Sequence, residues 1–252
     1  MGVFDKVDNS AKTEEVKDRV RGVRQAPMAS DIQNLIIRQC FVQPSKGGAL
    51  GVTTIFEVAD GEHKGRELKI TEYVTSGNDK GNKTFYEKKG DNGQIEQYDL
   101  PGYALMNEMA QLVLQKGILE CQNEKKTIQL YNFDKKTEVP TEVDMLVEFL
   151  NKGVCGCVLH RIEDKRSRND RTGEYEPTGQ TFATNIVDKF LNPRDRKTVS
   201  ETRNGIDATY QEQWLDKWKD QIDDKSTEVN NAGTKGAPSP SGENADKAPL
   251  FQ

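Results

Sequence analysis

The sequence is short of histidine, of cysteine and of apolar runs, and each shortage removes a class of function. No stretch approaches the ~20 consecutive apolar residues that a membrane-spanning helix needs, and residues 1–10 lack the apolar segment of a secretory leader. The expected location is a cytoplasm. Four cysteines in 252 residues are too few for a disulfide framework. The two histidines, His63 and His160, lie in unrelated segments. There is no Walker-type phosphate loop. Carboxylates are plentiful, but no spacing singles out a converging set such as a metal-dependent nuclease requires. A non-catalytic protein without cofactor is expected, with a metal-dependent nuclease as one alternative. Apolar residues make up 34% of the chain and charged ones 31%, with a mean hydropathy of −0.81. Part of the chain is therefore expected to stay solvated while the rest builds a core.

The net charge of −5 also lacks the positive sign of a nucleic-acid binder, but its distribution is uneven. From residue 207 onward nine acidic residues face five lysines, which leaves the first 206 residues nearly neutral. Within that body, basic residues gather between His63 and Gly90 (among them Lys69, Lys83, Lys88 and Lys89) and again between His160 and Arg171 (Arg161, Lys165, Arg166, Arg168 and Arg171).

Periodicity divides the chain. Residues 1–30 form an N-terminal arm, with Val16, Val20 and Val23 at loose helical spacing and Pro27 closing it. Strands are expected at 35–42, 50–58 and 66–75, the last alternating Leu68, Ile70, Glu72 and Val74 with Lys69, Thr71 and Tyr73. Asp60-Gly61 marks a turn. Thr84-Phe85-Tyr86 is a short segment between lysines, and 90–93 is a turn cluster. Pro101 opens a helix with Leu105, Met109, Leu112 and Val113 on one face and Gly117 as its C-cap. A strand at 127–133, a helix at 142–150, a strand at 154–162, a basic loop at 163–173 and a strand at 181–187 follow. Residues 194–225 read as a C-terminal acidic helix, with Tyr210, Trp214, Trp218 and Ile222 spaced four apart. Residues 226–252 read as a disordered tail ending in Pro249-Leu250-Phe251-Gln252. No internal repeat is present.

Three strands, a helix and a strand pair follow the order of a five-stranded OB barrel, here mainly β with appended helices and an insertion between Cys121 and Gly153. Residues 31–193 make up that domain. In such a barrel strands two and three, with the loops after strands one and four, form the binding face. Single-stranded nucleic acid is held there by cations that track phosphates and rings that stack on bases. Lys69, Tyr73, Lys83, Phe85, Tyr86 and Lys88 supply both kinds of group from one region, and Arg161, Lys165, Arg166, Arg168, Arg171 and Tyr175 supply both from the expected loop between strands four and five. Ordinary solvated faces with scattered aromatics are the bland alternative for each of these residues.

Cys155-Gly156-Cys157 with His160 and Cys121 gives four possible zinc ligands. On a strand, however, Cys155 and Cys157 share a face that His160 does not, and no second pair has zinc-finger spacing. Buried thiols are expected instead. The Trp214 and Trp218 face either docks on the domain or on a twin subunit, or binds a partner, or covers the DNA groove when DNA is absent.

The run Leu50-Gly51-Val52-Thr53-Thr54-Ile55-Phe56-Glu57-Val58-Ala59-Asp60-Gly61-Glu62-His63-Lys64-Gly65-Arg66-Glu67-Leu68 resembles a pattern of phage single-stranded DNA-binding proteins, in which a strand ending at an acidic-Gly turn leads through Gly-Arg into the next strand. Thr181-Phe182-Ala183-Thr184-Asn185-Ile186-Val187-Asp188-Lys189-Phe190 resembles the family's last strand. The likeness covers about residues 31–190. It implies sequence-independent binding and protection of single-stranded DNA in phage replication or recombination, inside a bacterial host cell; a homodimer is a separate option, left open by the Trp214 and Trp218 face. It also implies recruitment of replication or recombination proteins by an acidic tail with an apolar tip, here Leu250 and Phe251. This tail departs from that pattern: from Ser226 it has only Glu228, Glu243 and Asp246 against Lys235 and Lys247, and the denser acid lies upstream at Asp216, Asp220, Asp223 and Asp224. An OB-fold module for protein or duplex DNA is the other alternative.

Overall fold

The computed structural model describes residues 26–90, 93–132, 135–169 and 171–227. Most of the N-terminal arm, nearly all of the tail, and Leu250 and Phe251 lie outside the described residues.

The chain is mainly β. Strands β1 (Asp31–Pro44), β2 (Leu50–Val58) and β3 (Glu67–Tyr73) form an antiparallel meander. The expected strand 35–42 has no simple alternation, and the structure supplies the reason. A bulge between Ile37 and Gln39 shifts the register, so Leu35 and Ile37 face the core before it and Cys40 after it. The extra residue turns Arg38 outward, where Glu57 and Asn151 accept its hydrogen bonds at 2.9 Å. The opposite face of β1 carries Phe41, itself buried.

What covers Phe41 corrects one expectation. Residues 142–150 are not a helix. Strands β6 (Glu124–Asn132) and β7 (Thr137–Met145) form a hairpin, and β7 pairs with β1 at Phe41 and Val42. Val143 and Met145 bury against Phe41 with Ile128 and Leu130 beside them. The helix expectation came from Pro140 and Gly153 as flanks. Pairing with β6 imposes period two instead, and only a 3-10 turn at Val147–Phe149 remains, with Phe149 buried.

Between β3 and the first helix lies an independent two-stranded hairpin, β4 (Phe85–Lys89) and β5 (Ile95–Asp99). Helix α1 (Pro101–Leu114) starts at Pro101, as its missing N–H permits. It packs Met106, Met109 and Ala110 on the inner face of the sheet. It closes at Gln115 in the left-handed region rather than at Gly117, and Gly117 instead leads into a turn that buries Ile118.

The long strands β8 (Gly153–Arg168) and β9 (Tyr175–Leu191) overturn a second expectation. Residues 163–168 are not loop: the antiparallel ladder continues to Arg168 opposite Tyr175, with a bulge between Asp164 and Arg166. Apolar patterning stops near Ile162, but backbone pairing with β9 does not depend on side chains. Residues 153–158 of β8 pair with β1, and residues 160–162 with strand β10 (Ile222–Asp224) on the same side. The sheet runs β10-β8-β1-β2-β3, with β9 beyond β8. Its ends, β3 and β9, approach each other, and among the described residues no ladder joins them. Phe56 and Phe190 meet across the core at 5.8 Å between ring centroids.

The single acidic helix expected at 194–225 is instead α2 (Val199–Asn204), α3 (Tyr210–Trp218) and β10. The buried Glu201 joins the two helices. Its carboxylate accepts from Thr198 N at 2.8 Å in a capping box and from Tyr210 N at 2.7 Å. Trp214 is 4% exposed, packs with Cys155, Cys157, Leu159 and Leu191, and donates from Nε1 to Asp188 at 2.9 Å. The Trp face thus docks on the chain's own sheet, with Trp218 at its margin. Ile222 leaves the helix after Asp220, whose φ of 60° breaks the helical path. Among the described residues no helix is long and apolar enough to cross a membrane.

Strand β10 is fastened by a charge pair. Asp223, 5% exposed, accepts from Arg161 at 2.7 Å and pairs with Lys225 at 3.2 Å. Burial pushes the Asp223 carboxyl up, but the bonds from Arg161 and Lys225 outweigh it and hold the carboxyl below the ordinary 3.8. A depressed carboxylate contributes stability above the unfolded value that is lost as pH falls through the folded one. Docking of residues 222–227 should therefore weaken below pH 3.8, seen as faster hydrogen exchange in that segment. Asp223→Asn should cost about 2 kcal/mol in a urea titration at pH 7, below the ~3–5 kcal/mol of a fully buried pair, because Arg161 keeps some access to solvent.

Candidate nucleic-acid interface

The end of β3, the loop after it, the β4–β5 hairpin and the start of α1 enclose an open pocket of about 500 Å³. Alternation along β3 turns Tyr73 to the outer face, where its ring lies against Gly51 of β2 and remains 52% exposed. A Cβ on Gly51 would come within 3.3 Å of that ring, so glycine gives the tyrosine its seat.

The loop from Thr75 to Thr84 is held from both ends. Ser76 N donates to Lys83 O at 2.9 Å, and Lys83 N donates to Ser76 Oγ at 3.0 Å. Asn78 N donates to Gly47 O at 2.9 Å, which ties the loop to the β1–β2 turn. Gly77 has φ 85°, and a Cβ there would meet Gly47 O at 2.9 Å, so the turn requires glycine. This folding presents Lys80 and Lys83 to the pocket. Lys83 Nζ lies 5.3 Å from the Phe85 ring centroid and 3.3 Å from Glu87. Phe85 and Tyr86 line the same pocket, and Tyr86 stacks on Tyr98 with centroids 5.7 Å apart.

The structure thus brings together Tyr73, Lys83, Phe85 and Tyr86 of the expected set. Lys69 is exposed on the same outer face of β3 as Tyr73, and Lys88 is exposed on the Tyr86 face of β4. Sequence reasoning missed Tyr98 and Lys80. Tyr98 became visible only through pairing opposite Tyr86; the alternation Glu96, Tyr98 was its one signal. Glu72 also borders the pocket, from the face of β3 that carries Leu68 and Ile70. Burial pushes its carboxyl up, with Arg161 partly opposing the shift.

Helix α1 fixes the pocket's depth. A Cβ on Gly102 would lie 2.4 Å from Tyr73 O and 2.9 Å from Tyr73 N. Gly102→Ala is therefore expected to push α1 off β3, lowering stability by about 1–3 kcal/mol and displacing Tyr73. A urea midpoint and intrinsic tyrosine fluorescence check both effects.

The second basic group stands on the β8–β9 arm and contributes nothing to the pocket lining. Arg166 pairs opposite Pro177 and Arg168 opposite Tyr175, so both guanidinium groups share a face with the Tyr175 ring, which is 66% exposed. Lys165 reaches Gln180, and Arg171 lies in the turn. Lys165, Arg166, Arg168 and Arg171 form no ion pair among the described residues. Arg161 differs from expectation: its guanidinium is committed to Asp223 and lies 3.6 Å from Glu163. An arginine saturated by a buried carboxylate is not free to track phosphates.

The thiols are buried or half-buried. Burial pushes Cys40 up to about 12 and raises Cys155, although the Arg196 charge opposes the latter. Among the described residues no group of three or more His, Cys, Asp or Glu is placed to hold a metal ion. Comparison of the chain with models of known protein families, with curated proteins and with solved structures gives no match.

Proposed function

We propose that the protein binds single-stranded DNA without transforming it, and that the pocket at the end of β3 is where bases stack. The observation that carries this is the convergence of Tyr73, Phe85 and Tyr86 with Lys80 and Lys83 around one open pocket. Aromatic rings at a surface offer π-faces to any base, and neighbouring ammonium groups offer charge to its phosphates. The exposed cations of the β8–β9 arm, with Tyr175 among them, extend the same chemistry along the molecule. The strand order supports an OB-like arrangement: β1 lies between β2 and β8, a helix follows β3, and β8 and β9 form the last hairpin. A role in phage DNA replication or recombination within a host cytoplasm rests on the family likeness of residues 31–190.

Fluorescence anisotropy with a labelled oligo-dT tests the proposal. Binding to oligo-dT is expected to be much tighter than to a duplex of equal length and to weaken with salt, each phosphate contact adding about −0.7 to the log–log slope. Equal affinity for duplex and single strand would sink it. Arg168→Ala should reduce that slope by about 0.7. Arg161→Ala should leave the slope alone and instead loosen residues 222–227, because its partner is Asp223.

A further inference from the structure

We infer that Glu87 holds the Lys83 ammonium as a cap over the Phe85 ring, so that the free pocket occupies its own stacking surface until a strand displaces the cap. This rests on the single-stranded DNA proposal and adds regulation to it. Phe85 and Glu87 are two residues apart on β4 and share a face of that strand. Lys83 Nζ reaches both: it lies over the Phe85 ring, 5.3 Å from the centroid, and donates to Glu87 Oε1 at 3.3 Å. All three residues line the pocket. Phe85 is half-buried, so only part of its ring is open to a ligand. The neighbouring groups are different. Tyr73 is 52% exposed, and Lys80 forms no ion pair among the described residues. Both are ready for a base or a phosphate as they stand.

A base that stacks on Phe85 needs the π-face that the ammonium covers. A phosphate that pairs with Lys83 needs the ammonium that the carboxylate holds. A strand doing both replaces two internal contacts with two of its own: the ring passes from ammonium to base, and the ammonium from carboxylate to phosphate. Glu87 alone gains nothing in the exchange, and it meets the incoming phosphate as a like charge. It therefore opposes binding as a positioning residue that acts through Lys83. The pair is exposed, with side chains 47% and 43% accessible, so its hold is weak enough for a strand to break.

A double-mutant cycle read by anisotropy with labelled oligo-dT tests the cap: the intact protein, Glu87→Gln, Lys83→Ala and the double variant, each full-length at one low salt concentration. Glu87→Gln is expected to bind about threefold more tightly than the intact protein, the size of effect that releasing one exposed pair allows, with an unchanged thermal midpoint. In the Lys83→Ala background there is no cap to release, and the same substitution should alter affinity little. Glu57→Gln is the charge control. It breaks another exposed pair, with Arg38 at 2.9 Å and outside the pocket lining, and removes the same charge. It is expected to leave affinity unchanged. No tightening in Glu87→Gln overturns the cap while leaving single-strand binding standing. So does an equal gain in the Lys83→Ala background or from Glu57→Gln, since either would reflect net charge alone. Failure of the intact protein to bind oligo-dT overturns both proposals.

Discussion

Phe85→Ala and Tyr73→Ala should each weaken binding of labelled oligo-dT by roughly tenfold, within the range of about 1–3 kcal/mol that alanine substitution of a base-stacking ring costs. Both side chains line the pocket, and Tyr73 is 52% exposed with its ring resting on Gly51 rather than in the core. Truncating it removes a stacking surface without opening a cavity, so the thermal midpoint should stay close to that of the parent. Phe85 also carries Lys83 over its face at 5.3 Å, and its loss should release that ammonium group as well. The two rings share one pocket, so the double variant should lose less than the product of the single effects. Unchanged oligo-dT affinity in both variants would favour a module for protein or duplex DNA over a single-strand binder.

Trp214→Ala should cost about 3–5 kcal/mol in a denaturant titration, the range for deleting a buried tryptophan. Its indole is 4% exposed, fills the space against Cys155, Cys157, Leu159 and Leu191, and donates to Asp188. Trp218→Ala should cost clearly less, since that ring only borders the cluster. The same pair of variants distinguishes a docked helix from a partner-binding one. A large fall in stability at Trp214 belongs to docking. Unchanged stability would return the tryptophans to a partner surface.

Much of the central meander was legible beforehand. Strand β2 falls at 50–58 as expected, because Val52, Thr54, Phe56 and Val58 alternate and Asp60-Gly61 stops them. Helix α1 begins at Pro101, as a residue without an N–H predicts. Composition alone marks Lys69, Tyr73, Lys83, Phe85, Tyr86 and Lys88 as one region, and four of these six meet at the pocket. The failures occurred where a distant segment decides the conformation. Residues 142–150, flanked by Pro140 and Gly153, read as a helix until β6 pairs with 137–145 and Phe41 needs cover. The polar run after Ile162 reads as loop until β9 supplies its ladder.

The sequence by itself determined the mainly β character, the position of the first helix and the gathering of basic and aromatic residues, because hydrophobic period, proline and glycine act within a few residues. The tertiary structure alone decided which of those side chains are free to meet a ligand. Arg161 is neutralised by Asp223, 62 residues away in the chain; Tyr98 is set opposite Tyr86 by hairpin register; and Trp214 is turned inward by the face of β8. Each depends on long-range pairing and burial, which local pattern does not encode.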